Sequence, residues 1–80
     1  MGEGYQYEAV IRIDAFLDCD SLQRLIARLL MHGGIAVHPD GHESDVCRFR
    51  LSSPSFALER DFRDYVSHVL TDSKIKFRFV

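Results

Sequence analysis

The chain has 80 residues, 46% of them hydrophobic and 28% charged, with a formal net charge of -2 at pH 7. This composition excludes a disordered chain and provides no general attraction to nucleic acid. The length predicts one domain, 1–80, and no apolar run approaches the roughly 18 residues that a membrane-spanning helix needs.

The first predicted element is a half-buried strand over residues 5–14, where apolar and polar side chains alternate. Tyrosine, valine and isoleucine also fit a pleated surface better than a helix. The inner side of this strand would carry Tyr5, Tyr7, Ala9, Ile11 and Ile13.

An amphipathic helix is predicted next. Side chains of residues 18–21 can cap its first N–H groups, and Gly33 and Gly34 favour a left-handed stop at its end. Apolar residues recur at helical spacing, which predicts that one face packs on the sheet. That face consists of Leu22, Leu25, Ile26, Leu29 and Leu30.

Two strands, 35–38 and 46–51, follow on either side of a turn predicted at Pro39-Asp40-Gly41. Ser52-Ser53-Pro54 predicts the start of a second helix, with a hydroxyl cap and proline at the first helical position. The alternation of residues 75–79 predicts a fourth strand. The apolar stripe of the second helix consists of Leu58, Phe62, Tyr65, Val66 and Val69.

The order strand, helix, strand, strand, helix, strand predicts an α+β ferredoxin-like βαββαβ sandwich. Its four-stranded antiparallel sheet would have the order 4-1-3-2, with two helices on one face. The expected core consists of Tyr5, Tyr7, Ile11, Ile13, Leu25, Leu29, Phe49, Leu51, Phe62, Val66, Phe77 and Phe79.

This topology would separate the charges onto two surfaces. A basic open sheet face would comprise Arg12, Arg48, Arg50, Lys74, Lys76 and Arg78. The end of the sheet where the first strand finishes would be acidic. This acidic pole would comprise Asp14, Asp18, Asp20, Asp40, Glu43, Asp45 and Asp72.

Several known uses of such a sheet lack the residues that they need. RNA-recognition motifs stack bases on outward aromatic side chains, and none is expected on the central strands here. An acylphosphatase-like anion loop, a Cys-x-x-Cys metal carrier and an amino-acid-sensing site each need particular residues after the first strand. That loop is acidic, contains Cys19 alone and has no glycine. The sequence therefore resembles a fold and no particular family.

Cysteine and histidine usage predicts neither a disulfide nor a metal centre. Without a recognisable secretory leader, Cys19 and Cys47 are expected to be reduced in the cytoplasm, with Cys47 in the core. His38 and His42, close to Cys19, could hold zinc or nickel only if they converged, and a solvated turn explains them more simply. No catalytic residue and no cofactor is predicted.

The acidic pole and the lack of a catalytic constellation favour a non-enzymatic protein-binding module. Such a regulator or inhibitor would dock its acidic pole on a basic surface of a larger partner, where it could replace nucleic-acid phosphate. By analogy, small inhibitors made by phages and other mobile elements fit this description. The simpler explanation is that these acids only cap a helix and solvate loops.

Three alternatives stay open. The basic sheet face could bind RNA or DNA weakly and without sequence preference. A homodimer could form through the edge of the second strand or through Ala36, Val10 and Val46 on the sheet face. An enzyme with an apolar pocket is the least favoured alternative.

Overall fold

The computed structural model describes residues 6–14, 18–43 and 45–80, with residues 42 and 43 described by their backbone alone. The elements are β1 (Tyr7–Asp14), α1 (Cys19–Leu30), a 3-10 turn (Met31–Gly33), β2 (Ala36–Glu43), β3 (Val46–Ser53), α2 (Glu59–Asp72) and β4 (Arg78–Phe79). The strands form one antiparallel sheet in the order β2-β3-β1-β4, which is 4-1-3-2 read from the other edge. The predicted α+β class is confirmed. Tyr5, which the sequence predicts in the core, lies outside the described residues.

One hydrophobic core lies between the sheet and the two helices. β1 and β3 pair along their whole length, and among their inner side chains Ile11, Phe49 and Leu51 are at most 1% exposed. Each helix adds residues four apart, which share one helical face. These are Leu22, Ile26 and Leu30 from α1, and Phe62, Val66 and Leu70 from α2.

The helices bury a narrower stripe than the sequence predicts. Leu25 and Leu58 were expected to pack inward, but they are 44% and 52% exposed. Phe77 and Phe79 are half-buried, with their rings 5.4 Å apart edge to face, and the Arg63 guanidinium lies 4.7 Å from the Phe79 ring centre. The core is therefore centred on β1, β3 and one row of each helix.

Cys19 and Cys47 form a disulfide with their Cα atoms 5.7 Å apart, so the prediction of reduced thiols is wrong. The first residue of α1 lies over the inner side of the start of β3, which brings the two side chains together. The two cysteines are 28 residues apart in the sequence. Closing a loop of this length stabilises a fold by roughly 3–4 kcal/mol. Disulfides are typical of oxidising compartments, so this bond argues against a cytoplasmic location. The cytoplasmic location predicted from the sequence stays a prediction.

β2 continues through the turn predicted at residues 39–41, so that prediction is wrong. Between Pro39 and His42 the pairing with β3 gains one residue, which makes a β-bulge where Gly41 adopts a φ of 87°. Proline is tolerated here because β2 is an edge strand. The chain reverses instead at Asp45, whose φ of 67° is a left-handed conformation that aspartate accepts more readily than most residues.

The start of α2 predicted at residues 52–54 is also wrong, because β3 continues to Ser53. The Ser53 hydroxyl accepts a hydrogen bond from the Ser55 N–H at 3.1 Å and donates one to the Gly33 carbonyl at 3.5 Å. These bonds hold a turn in place of a helical cap. The helix begins only at Glu59, after a connection in which the Phe56 ring packs 5.7 Å from that of Phe62.

β4 is shorter than predicted, since the strand expected from Ile75 begins at Arg78. The Ile75 N–H donates to the Leu70 carbonyl at 2.9 Å, so this residue closes α2 and does not join the sheet. As a result, β1 extends beyond its last residue paired with β4, at Ile13 and Asp14. A gap opens in the sheet edge at this point.

Candidate functional site

Three arginines lie side by side across the open sheet face. Arg12 on β1 is directly opposite both Arg48 on β3 and Arg78 on β4. Neighbouring strands are about 4.8 Å apart, so the three side chains leave the sheet from a strip roughly 10 Å wide. We call Arg12, Arg48 and Arg78 the arginine row.

The arginine row makes the sheet less stable than a neutral row would. Like charges that are directly opposite each other destabilise paired strands. In addition, Arg48 Nε is buried without a hydrogen-bond partner among the described residues. A buried donor that is left unpaired carries a desolvation cost. An anion bound over the row would offset the repulsion.

Arg50 extends the basic surface along β3, two residues beyond Arg48. It is exposed and lies opposite Val10 on β1 and His38 on β2. The sequence suggests His38 only as a metal ligand, but the alternation of β2 places it on the same side of the sheet as Arg50. The basic surface therefore covers the middle of β1, β3 and β4, with His38 of β2 at its border.

Two carboxylates border the arginine row. Asp14 Oδ1 is 3.3 Å from Arg12 Nε, and Asp40 Oδ2 is 3.6 Å from Arg48 Nη2. Both pairs are partly exposed, and such pairs contribute little free energy and exchange readily with solvent ions. Among the side chains that the structure describes, no carboxylate lies within ion-pair distance of Arg50 or Arg78.

The aromatic side chains of the described strands all belong to the helix-facing side of the sheet. The Tyr7 ring is 6.4 Å from that of Phe62 in α2, Phe49 is 1% exposed, and Phe79 lies under Arg63 of α2. The described part of the open face thus presents cations without a phenylalanine or tyrosine on which bases could stack.

The disulfide gathers part of the acidic pole. It holds Asp18 and Asp20, at the start of α1, beside the first residues of β3, where Asp45 precedes the strand and Asp14 is paired with it. Asp18 also caps α1, because its carboxylate accepts hydrogen bonds from the Asp20 N–H at 3.2 Å and the Ser21 hydroxyl at 3.4 Å. Helix capping therefore explains why at least Asp18 of the acidic pole is acidic, without a role in binding.

The remaining acids are spread more widely. Asp40 is drawn onto the open face by its ion pair with Arg48, Asp72 lies in the last turn of α2, and Glu43 is described by its backbone alone. Lys74 and Lys76, predicted on the open sheet face, lie outside the strands and line a groove together with Asp14. This end of the molecule consequently carries both signs of charge.

Neither a metal centre nor a membrane span is found in the described parts of the chain. Within these residues no three histidine, cysteine, aspartate or glutamate side chains come close enough to hold a metal ion. The Cys19 sulfur is bonded to Cys47, and the side chain of His42 lies outside the description. The described helices are too short or too polar to cross a bilayer.

Comparison of the chain with protein-family models, with curated proteins and with solved structures found no match.

Proposed function

We propose that the arginine row and Arg50 bind the phosphate backbone of single-stranded nucleic acid without preference for base sequence. The supporting observation is the register that places Arg78, Arg12 and Arg48 directly side by side. A sheet gains nothing from that arrangement by itself, because adjacent like charges repel. Guanidinium groups are planar donors that fit phosphate oxygens in pairs, so a phosphodiester chain offsets the repulsion.

The same surface explains why the binding would be weak and sequence-independent. Base readout from single strands depends largely on aromatic stacking, and the described open face carries no phenylalanine or tyrosine and only His38 as a ring. The attraction is local, since the chain as a whole has a net charge of -2. Both features predict that affinity depends mainly on phosphate contacts and falls steeply with salt.

Fluorescence anisotropy of labelled single-stranded oligonucleotides tests the proposal. From about 50 to 200 mM salt, three to four phosphate contacts predict a slope of log K against log salt of roughly -2 to -3. Arg12→Gln with Arg48→Gln should reduce this slope and weaken binding to pyrimidine and purine strands alike. The matched control is Arg24→Gln with Arg60→Gln, which removes two exposed helix cations. Equal weakening by both double variants, or no binding near 50 mM salt, would contradict the proposal.

The proposal includes the fold assignment that the sequence suggested. The βαββαβ element order and the strand order fit a ferredoxin-like sandwich formed by the single domain 1–80. In this arrangement the helices cover one side of the sheet and leave the other available for a ligand.

A second candidate is docking of the acidic pole on a basic surface of a larger protein, as a non-enzymatic regulator or inhibitor. The disulfide favours it, because it fixes the acidic start of α1 beside Asp45 without an ordering cost on binding. The double variant Asp20→Asn with Asp45→Asn removes two of these acids and leaves the Asp18 cap in place. Asparagine at position 45 still accepts the left-handed φ of that residue. We expect earlier elution of this variant from immobilised polylysine, and an unchanged elution position would remove this candidate.

A further inference from the structure

A groove lies where β4 stops short of the end of β1. Between the end of β1, α1 and the segment that follows α2 there is a space of about 300 Å³. This is the lower end of the volume range of small-molecule sites, about 300–1,000 Å³. None of the arginines of the arginine row lines this space, although Asp14 and Lys76 also line a neighbouring depression together with Arg12 and Arg78.

The floor and one wall of the groove are hydrocarbon. Ile13 and Leu22, which are 3% and 5% exposed, form part of the core beneath it, and the half-buried Ile75 lies beside them. Leu25 lines the same groove and is 44% exposed. A ligand with an apolar body would cover Leu25 and extend the packing of the core, which is favourable because apolar surface leaves water.

The rim of the groove is positively charged overall. Lys74 and Lys76 line it, and in the described part of the chain no carboxylate lies within ion-pair distance of either ammonium group. The third charged residue, Asp14, is already paired with Arg12 at 3.3 Å. The apolar groove is therefore complementary to an occupant with a negatively charged end.

The backbone of Lys74 adopts a strained conformation. Its φ is 62°, a left-handed conformation that is strained for an L-residue and that glycine adopts freely. Backbone strain of this kind is often retained where a side chain is used. Here the strained residue supplies one of the two cations at the rim.

We propose that this groove binds a small amphiphilic carboxylate, with a hydrocarbon body against Leu25 and Ile75 and its carboxylate between Lys74 and Lys76. A medium-chain fatty acid has this chemistry. The proposal does not use the guanidinium groups of the arginine row, because Lys74 and Lys76 supply the cations here, although Lys76 lies next to Arg12 and Arg78.

Titration with sodium octanoate, followed by NMR of the side-chain methyl groups, tests this site. We expect saturable shifts at Ile13, Leu22, Leu25 and Ile75, and weaker effects from 1-octanol and from acetate. Each of these two probes keeps only one half of the ligand chemistry. Absence of saturable shifts at these methyl groups would overturn the proposal, as would equal affinity for octanoate and either probe.

Variants separate the two parts of the groove. Lys74→Gln with Lys76→Gln should weaken octanoate binding roughly tenfold, through the loss of two charge-assisted contacts. Leu25→Gln should weaken it through lost apolar contact, and its exposed position means that the fold tolerates the change. Arg24→Gln with Arg60→Gln, which also removes two exposed cations, should bind as the parent does. Equal losses in the two double variants would overturn the assignment of the carboxylate to this rim.

Discussion

α1 and α2 lie side by side on the sheet but are held at their ends in different ways. α1 begins with the Asp18 carboxylate as its cap and with the disulfide from Cys19. At its other end Gly34, with φ 69°, donates from its N–H to the Met31 carbonyl at 3.0 Å, while the Ile35 N–H reaches the Leu30 carbonyl. This is a Schellman ending with glycine in the left-handed position.

α2 ends in the same backbone motif with a different residue. The Lys74 N–H donates to the Thr71 carbonyl and the Ile75 N–H to the Leu70 carbonyl, both at 2.9 Å, but the left-handed position holds lysine. At the start of α2, Leu58 makes no side-chain hydrogen bond to the first turn within the described residues. α1 is thus built for stability at both ends, whereas α2 accepts poorer ends and places a cation beside the groove.

The largest effect should come from removing the covalent tie of α1. Cys19→Ser with Cys47→Ser should lower the free energy of unfolding by roughly 3–4 kcal/mol, because the unfolded chain regains the freedom of a long loop. Chemical denaturation measures the change. A reducing agent should produce it in the parent protein and leave the variant unaffected. Two titratable thiols in the oxidised native protein would contradict the pairing.

The glycine at the end of α1 should come next. Gly34→Ala should cost about 2 kcal/mol, since the left-handed conformation is strained for alanine and the new Cβ would meet the Ser55 hydroxyl. Gly41 is the matched control, because it has a φ of 87° and nothing within 4 Å of an added Cβ. Thermal denaturation should show a smaller loss for Gly41→Ala, from backbone strain alone. Equal losses of thermal stability in the two variants would mean that the Ser55 side chain moves away from the new Cβ at no energetic cost.

A better N-cap should make the start of α2 resemble that of α1. Leu58→Asp should raise the free energy of unfolding by about 1 kcal/mol, because its carboxylate can accept hydrogen bonds from first-turn N–H groups. Leu58→Ala removes the same half-exposed side chain without supplying a cap. If alanine stabilises the protein as much as aspartate does in chemical denaturation, the missing cap is not the cause.

The smallest effect is expected at the strained end of α2. Lys74→Gly should stabilise the protein by about 0.5 kcal/mol, because relief of the left-handed strain exceeds the added flexibility of the unfolded chain. The same variant should bind octanoate more weakly, since one rim cation is lost. A gain in stability with unchanged octanoate affinity would separate the strain from ligand binding.

Element order and sheet class could be predicted because they depend on local periodicity. The alternation around Ile11 and Phe49 and the helical repeat around Ile26 and Val66 each extend over enough residues to be unambiguous. Boundaries failed where distant pairing outweighed a local signal. Pro39 and Gly41 look like a turn, but pairing with β3 continues past them as a bulge.

The candidate sites depend on information that periodicity does not contain. Alternation placed Arg12 and Arg48 on the same side of the sheet, but only the register sets them directly opposite each other and beside Arg78. The disulfide could not be predicted because it depends on where the start of α1 lies over β3. The groove arises from the late start of β4 at Arg78, which follows from how α2 ends at Lys74.

The bulge in β2 also determines how the free edge of the sheet can be used. Growth by another strand needs an even run of unpaired N–H and C=O groups, and Pro39 supplies no N–H while the bulge twists the strand. We therefore expect this edge to reject both a second copy and an extended peptide. At high protein concentration we accordingly expect no assembly of sheets through the β2 edge.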